Sequence, residues 1–232
     1  MLTVDIHKST LVGILRSMYS DPAIRSILGF KGGTAAMLFY GLPRFSVDLD
    51  FDLLDPDKKE VVMTRLKALL PAFGTVSMAT EKKFTLFFLV NYRKGQRNLK
   101  IEISKRPSGS AFIPKQFLGI SMLVMTKEDM AANKLAALLT RKHFAVRDIF
   151  DVWFFLNNRW PINDKLVNEK TGMPISTAFK KAIAMLKKVK NTELLAGLGE
   201  LLDFKQKAWV RDHLIEDTIF QLRLYHDLLK SS

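Results

Sequence analysis

The stretch Lys31-Gly-Gly-Thr-Ala-Ala-Met-Leu-Phe-Tyr-Gly-Leu-Pro-Arg-Phe-Ser-Val-Asp-Leu-Asp-Phe51 sets a Gly-Gly pair ahead of two aspartates that alternate with apolar residues. In an extended segment successive side chains point to opposite faces. Asp48 and Asp50 therefore share one face, and Val47, Leu49 and Phe51 share the other. Two carboxylates about 5 Å apart repel by roughly 3 kcal/mol at an effective dielectric of about 20. Such a pair calls for a cation between them. Hard oxygen donors with no cysteine or histidine alongside point to Mg2+ or Mn2+ as the ion held by Asp48 and Asp50.

Gly32 and Gly33 lack a Cβ, which lets backbone N–H groups approach a phosphate closely, and the segment from Thr34 reads as the opening of a helix. Thr34 either caps that helix or touches phosphate. Lys31 and Ser46 complete the predicted nucleotide-binding set of Lys31, Gly32, Gly33, Thr34 and Ser46. Asp52 continues the alternation as a supporting or solvated acid. Metal-dependent sites of this kind usually take a third carboxylate from a neighbouring strand, and Leu99-Lys-Ile-Glu-Ile-Ser104 offers Glu102 as ligand and general base. Its ordinary alternative is a surface glutamate paired with Lys100 or Lys105.

Read in register from Phe30 through Phe51, with Tyr40-Gly41, Arg44, Ser46 and the Asp-Leu-Asp-Phe ending, the block resembles the nucleotidyltransferase superfamily. More closely it resembles the AbiEii/AbiGii toxin family. A second stretch, Arg147-Asp-Ile-Phe-Asp-Val-Trp-Phe-Phe-Leu156, is similar to that family's second signature, a helix carrying lysine followed by Arg-Asp and then Asp amid aromatics. The resemblance implies that Lys134 contacts nucleotide phosphate and that Asp148, or Asp151 in its place, belongs to the active site. On the residues alone, Asp151 interrupts an apolar run and needs a cationic or hydrogen-bonding partner, for which Lys134 is suited.

The resemblance also implies a function: a Mg2+-dependent nucleotidyltransferase toxin of a bacterial toxin–antitoxin or phage-defence system. It would transfer NMP from an NTP to an acceptor hydroxyl, the tRNA 3′ end in some members, and would have a cognate antitoxin. Two alternatives stay open, a small-molecule (antibiotic-type) nucleotidyltransferase and a catalytically silent nucleic-acid-binding protein of the same fold.

Composition is consistent with these readings. The 232 residues carry 36 Lys and Arg against 23 Asp and Glu, a formal charge of +13, which attracts polyanions such as RNA, DNA or anionic lipid. Absence of cysteine excludes disulfides and thiolate metal sites and agrees with a cytoplasmic location. The N-terminal residues lack the apolar core of a signal peptide, and no apolar run approaches a membrane span. Basic residues cluster at Arg93, Lys94, Arg97, Lys105 and Arg106, and again on one predicted helix at Lys180, Lys181, Lys187, Lys188 and Lys190. The four histidines show no spacing for a metal or catalytic pair.

The predicted fold is α+β, a nucleotidyltransferase-like mixed sheet flanked by helices over 1–125, followed by a helical bundle over 126–232. Helices are expected at 6–19, in a short piece from Asp21-Pro22, at 34–40 and at 58–70. Strands are expected at 46–54, 75–79, 84–92, 98–104 and within 117–125. Six further helices are expected, at 127–141, 147–156, 162–171, 176–190, 192–204 and 208–230.

Overall fold

The computed structural model describes residues 3–141, 145–190 and 193–229. His143, the predicted helix start at Thr192 and the predicted helix end at Lys230 lie outside the described residues. The chain packs as two units, one up to Thr126 and one from Lys127 onward. The first unit runs α1 (Val4–Ser20), β1 (Leu28–Lys31), α2 (Gly32–Tyr40), β2 (Asp48–Leu53), α3 (Lys59–Leu69), β3 (Thr75–Glu81), β4 (Thr85–Asn91), β5 (Leu99–Ser104), β6 (Phe112–Phe117) and β7 (Ile120–Met125).

These strands make one mixed sheet in the order β3-β4-β5-β2-β1-β7-β6. The β2–β5 and β1–β7 pairs are parallel and the rest antiparallel. Period-two burial explains the two faces: Leu49, Phe51, Leu86, Phe88, Val90, Ile101 and Ile103 are buried, while their alternating neighbours Asp50, Phe87, Leu89 and Glu102 are only half-buried. Leu11, Ile14, Leu15 and Met18 recur at helical spacing on α1 and are fully buried, and α1 packs against α3 and β7. Deleting any of these aliphatic side chains would cost about 2–5 kcal/mol.

One local expectation fails in this unit and two strands appear that the sequence reading did not include. Asp21-Pro22 starts hydrogen-bonded turns instead of a helix, because the Asp21 carboxylate accepts from the Ala23 N–H at 2.9 Å and from Arg65 at 2.7 Å. β1 was not expected, being four residues long. β6 was not expected either; Pro114 sits within it, tolerated because β6 is an edge strand. The basic cluster also divides. Arg93, Lys94 and Arg97 precede β5 while Lys105 and Arg106 follow it, about 20 Å away along six residues of strand.

The second unit contains α4 (Lys127–Thr140), α5 (Val146–Asn157), α6 (Asp164–Thr171), α7 (Ile175–Leu186) and α8 (Phe204–Leu228). Its core gathers Leu135, Ile149, Phe150, Phe155, Phe179, Leu214 and Leu222. α7 ends before Lys187, so only Lys180 and Lys181 of that cluster lie on it. The described part of the predicted 192–204 helix is turns and a 3-10 segment, Gly199–Leu201, since Gly197 adopts a left-handed φ of 69°. α8 starts earlier than expected because Asp203 and Gln206 form a reciprocal capping box. No helix among the described residues is long and apolar enough to cross a membrane.

Candidate active site

Strand register brings the acids together. Lys31 pairs with Asp50 across β1 and β2, Asp50 with Glu102 across β2 and β5, and Glu102 with Phe87 across β5 and β4. Asp48 is opposite Lys100, and Asp52 is opposite Ser104. Asp48, Asp50 and Glu102 thus occupy neighbouring positions on the face opposite the core.

The Lys100 ammonium stands beside two of them, 3.1 Å from Asp48 and 3.4 Å from Glu102. The Lys100 pairing weighed for Glu102 is therefore present together with its alignment to Asp50. Burial, with the adjacent Asp48 and Glu102 charges, pushes the Asp50 carboxyl above the ordinary carboxylate range, against the pull of Lys100 and Lys31. Burial alone would lower Lys100, but Asp48, Glu102 and Asp50 hold it above the usual lysine value. Among the described residues no three carboxylate or imidazole groups converge as a preformed cation cage. The donor set still fits a hard divalent ion: three oxygen-bearing groups with excess negative charge, compensated here by one ammonium.

Asp52 is buried and takes the Lys31 ammonium on Oδ1, while its Oδ2 has no hydrogen-bond donor among the described residues. It is a buried ion-pair partner instead of a solvated acid. Lys31 therefore reaches back to Asp52 in this structure.

The glycine pair opens α2 and presses on the acids. Gly32 has a φ of 79°, and a Cβ there would lie 2.6 Å from Asp50 Oδ2. A Cβ on Gly33 would lie 2.7 Å from Arg44 Nη2 and 2.8 Å from Ser46 Oγ. The turn is thus lodged between the Asp50 carboxylate and an Arg44–Ser46 pair. The first-turn N–H groups of a helix lack intrahelical acceptors and carry its positive dipole end, which suits an anion. Because α2 begins at Gly32, Thr34 lies inside the first turn and is not its cap; Lys31 occupies the cap position, and its side chain makes no capping bond to the helix. Thr34 is fully buried and its hydroxyl donates to the Asp48 main-chain carbonyl, tying α2 to β2.

Two residues here have roles that the sequence reading did not assign. Arg44 is buried, donates to the Phe45 carbonyl at 3.0 Å and packs on Gly33; its signals were its place in the family-like block and a lone cation between apolar neighbours. His7 on α1 is fully buried, with Nε2 2.8 Å from the Val47 carbonyl and Nδ1 2.8 Å from the Tyr92 hydroxyl. Burial pushes its pKa down, so the ring is neutral, Nε2–H donates to Val47, and Nδ1 accepts from Tyr92. It anchors the main chain that leads into Asp48.

In the helical unit Lys134 Nζ lies 3.0 Å from Asp148 Oδ1 and 2.7 Å from Asp151 Oδ2, and Arg141 approaches Asp148 at 2.8 Å. Both acids are buried. Asp148 and Asp151 therefore share one lysine.

A family model described as nucleotidyl transferase AbiEii toxin, type IV TA system, matches residues 13–200. The chain belongs to the AbiEii family. This AbiEii chain is accordingly a nucleotidyltransferase of the toxin–antitoxin type. Its fold is similar to that of a candidate nucleotidyltransferase from H. pylori, at 22% identity and a TM-score of 0.65, covering 100% of this chain and 98% of that one. It is also similar to JHP933 from Helicobacter pylori, at 21% identity and a TM-score of 0.58, covering 100% and 99%. No curated protein matches the chain.

Proposed function

We propose that this AbiEii protein uses Mg2+ or Mn2+ to transfer NMP from an NTP to an RNA 3′ hydroxyl, with tRNA as the acceptor, as the toxin of a bacterial phage-defence pair with its own antitoxin. The cytoplasm, where both substrates are found, is the proposed location. The observation that carries the reading is the register row Asp50–Glu102 with Asp48 two residues away, set against the glycine turn. A divalent cation bound by Asp48, Asp50 and Glu102 would polarise the phosphoryl oxygens and offset the charge that develops on them. Gly32, Gly33 and the first turn of α2 cradle the triphosphate, with Ser46 and Thr34 shaping the cradle from beneath. Lys31 swings from Asp52 toward phosphate when nucleotide arrives. Glu102 takes the proton of the acceptor hydroxyl, whose oxygen bonds to the α-phosphorus as the bond from that phosphorus to the α–β bridging oxygen breaks and pyrophosphate departs.

The +13 charge supports a polyanionic acceptor over a small one. The family resemblance assigns Lys134 to nucleotide phosphate, with Asp148, or Asp151 in its place, as its orienting acid.

The test is incubation with each α-labelled NTP, Mg2+, and either whole-cell RNA, purified tRNA or an aminoglycoside panel. Label on tRNA, lost in Asp48→Ala, is the expected result. Label confined to a small molecule, or no label on any RNA, overturns the proposal.

A further inference from the structure

The face that holds the carboxylates does not stop at Glu102. Continuing the same row outward, Glu102 pairs with Phe87 on β4 and Phe87 with Thr80 on β3; the next row runs Asp48, Lys100, Leu89, Met78. Phe87 and Leu89 are half-exposed and Met78 is 44% exposed, so an apolar floor lies directly beside the third carboxylate. At its edge the Lys82 ammonium sits 3.5 Å over the Phe87 ring. Among the described residues no carboxylate pairs with Lys82. Lys83 and Arg106, each over the Phe84 ring, add positive charge at the same end of the strands, where Glu81 is held by Lys59 and Lys105.

Displacement at phosphorus fixes which side this floor serves. Attacking and leaving oxygens lie roughly in line across the α-phosphorus. The glycine turn of α2 abuts Asp50 on the β1 side. With the triphosphate tail seated there, pyrophosphate leaves toward β1, and the attacking hydroxyl enters from the opposite side, past Glu102. Beyond Glu102 the sheet offers β4 and then β3. From β5 to β3 is two strand spacings, roughly 10 Å, room for an unpaired base but not for a duplex.

We propose that this floor, Phe87 with Leu89 and Met78, edged by Lys82, seats the terminal unpaired nucleotide of the acceptor RNA. Phe87 gives its base an apolar, aromatic contact, and Lys82 moves from the ring to the phosphate that follows. The inference rests on the reading of RNA as acceptor and adds where the acceptor lies. Phe87 also sets a preference for single-stranded ends, because a paired base cannot reach the floor.

The test uses the full chain without metal or NTP and measures affinity for a short labelled single-stranded RNA, for a blunt RNA hairpin and, separately, for a fluorescent NTP analogue. Phe87→Leu, which keeps apolar volume and the fold, should weaken the single strand about tenfold and leave the hairpin and the NTP analogue unchanged. Phe87→Tyr should retain binding, and Phe84→Ala should have no effect. Lys82→Gln should reduce the salt slope of single-strand binding by about 0.7. Unchanged single-strand affinity in Phe87→Leu, or loss of NTP binding instead, overturns the subsite. A wild type that binds single strands through Phe87 yet labels no RNA sinks the transfer reading alone. Labelled RNA with an acceptor KM that Phe87→Leu leaves unchanged sinks the subsite alone, and a wild type that neither binds nor labels RNA sinks both.

Discussion

Asp50 is flanked by Asp48 on its own strand and Glu102 on the next, and Gly32 packs against its carboxylate. Carboxylates this crowded oppose folding, and the single Lys100 ammonium offsets only part of that repulsion. Asp50→Asn should therefore raise Tm in metal-free buffer, by about 2–4 °C for each kcal/mol of repulsion removed, while abolishing nucleotidyl transfer. Added Mg2+ should raise the wild-type Tm more than that of the variant; equal shifts would refute Asp50 as a ligand. His7 gives a prediction of opposite sign. Its folded pKa lies below its unfolded value, so unfolded chains take up a proton that the native ring refuses. Its stabilising contribution is complete above about pH 6.5 and is lost as pH falls through the lower folded value. The Tm advantage of wild type over His7→Gln should shrink from pH 7.5 toward pH 5, as followed by thermal melts; a constant difference would show that the ring is not held neutral. Which acids share a face was legible from alternation alone. That Lys31 bonds Asp52, that Arg44 covers Gly33 and that His7 holds Val47 was not, because these contacts depend on how distant segments pack and leave no local period.

The glycine-to-helix element separates strain from crowding. Gly41 ends α2 at a φ of 73° with nothing within 4 Å of an added Cβ, so Gly41→Ala bears only conformational cost, about 1 kcal/mol. Its activity should be intact. Gly33→Ala has an ordinary backbone but meets Arg44 and Ser46. It should raise the KM for NTP several-fold with a stability loss of about 1–3 kcal/mol. Comparison of both by melting and by steady-state kinetics decides the matter: equal KM values would mean that the turn does not cradle the nucleotide. Element reading from sequence failed where a short strand or a glycine overrode periodicity, as in β1 and at Gly197. It succeeded for long segments with a clear period, such as α1, α4 and α5.

At the scale of the whole molecule, all three tryptophans, Trp153, Trp160 and Trp209, lie in the helical unit, so intrinsic fluorescence reports on that unit. Lys134→Met removes the ammonium that buried Asp148 and Asp151 share, leaving Arg141 on Asp148, and should destabilise that unit by about 3–5 kcal/mol in denaturant titrations. Adding Asp148→Asn and Asp151→Asn to Lys134→Met should restore most of the loss. If the triple variant regains stability but not NTP affinity, Lys134 also serves the nucleotide; if both return, its role is structural. The strand order has a further consequence, for synthesis on the ribosome. Residues 50 and 102 become neighbours only after β5 docks in parallel beside β2, and β1 gains its outer neighbour only when β7 arrives. Parallel pairing between distant segments is slow and comes late. If the proposed site is the working one, a nascent chain halted before β5 carries Asp48 and Asp50 without Glu102, and a cell making this enzyme is spared its chemistry until translation of the sheet is nearly done.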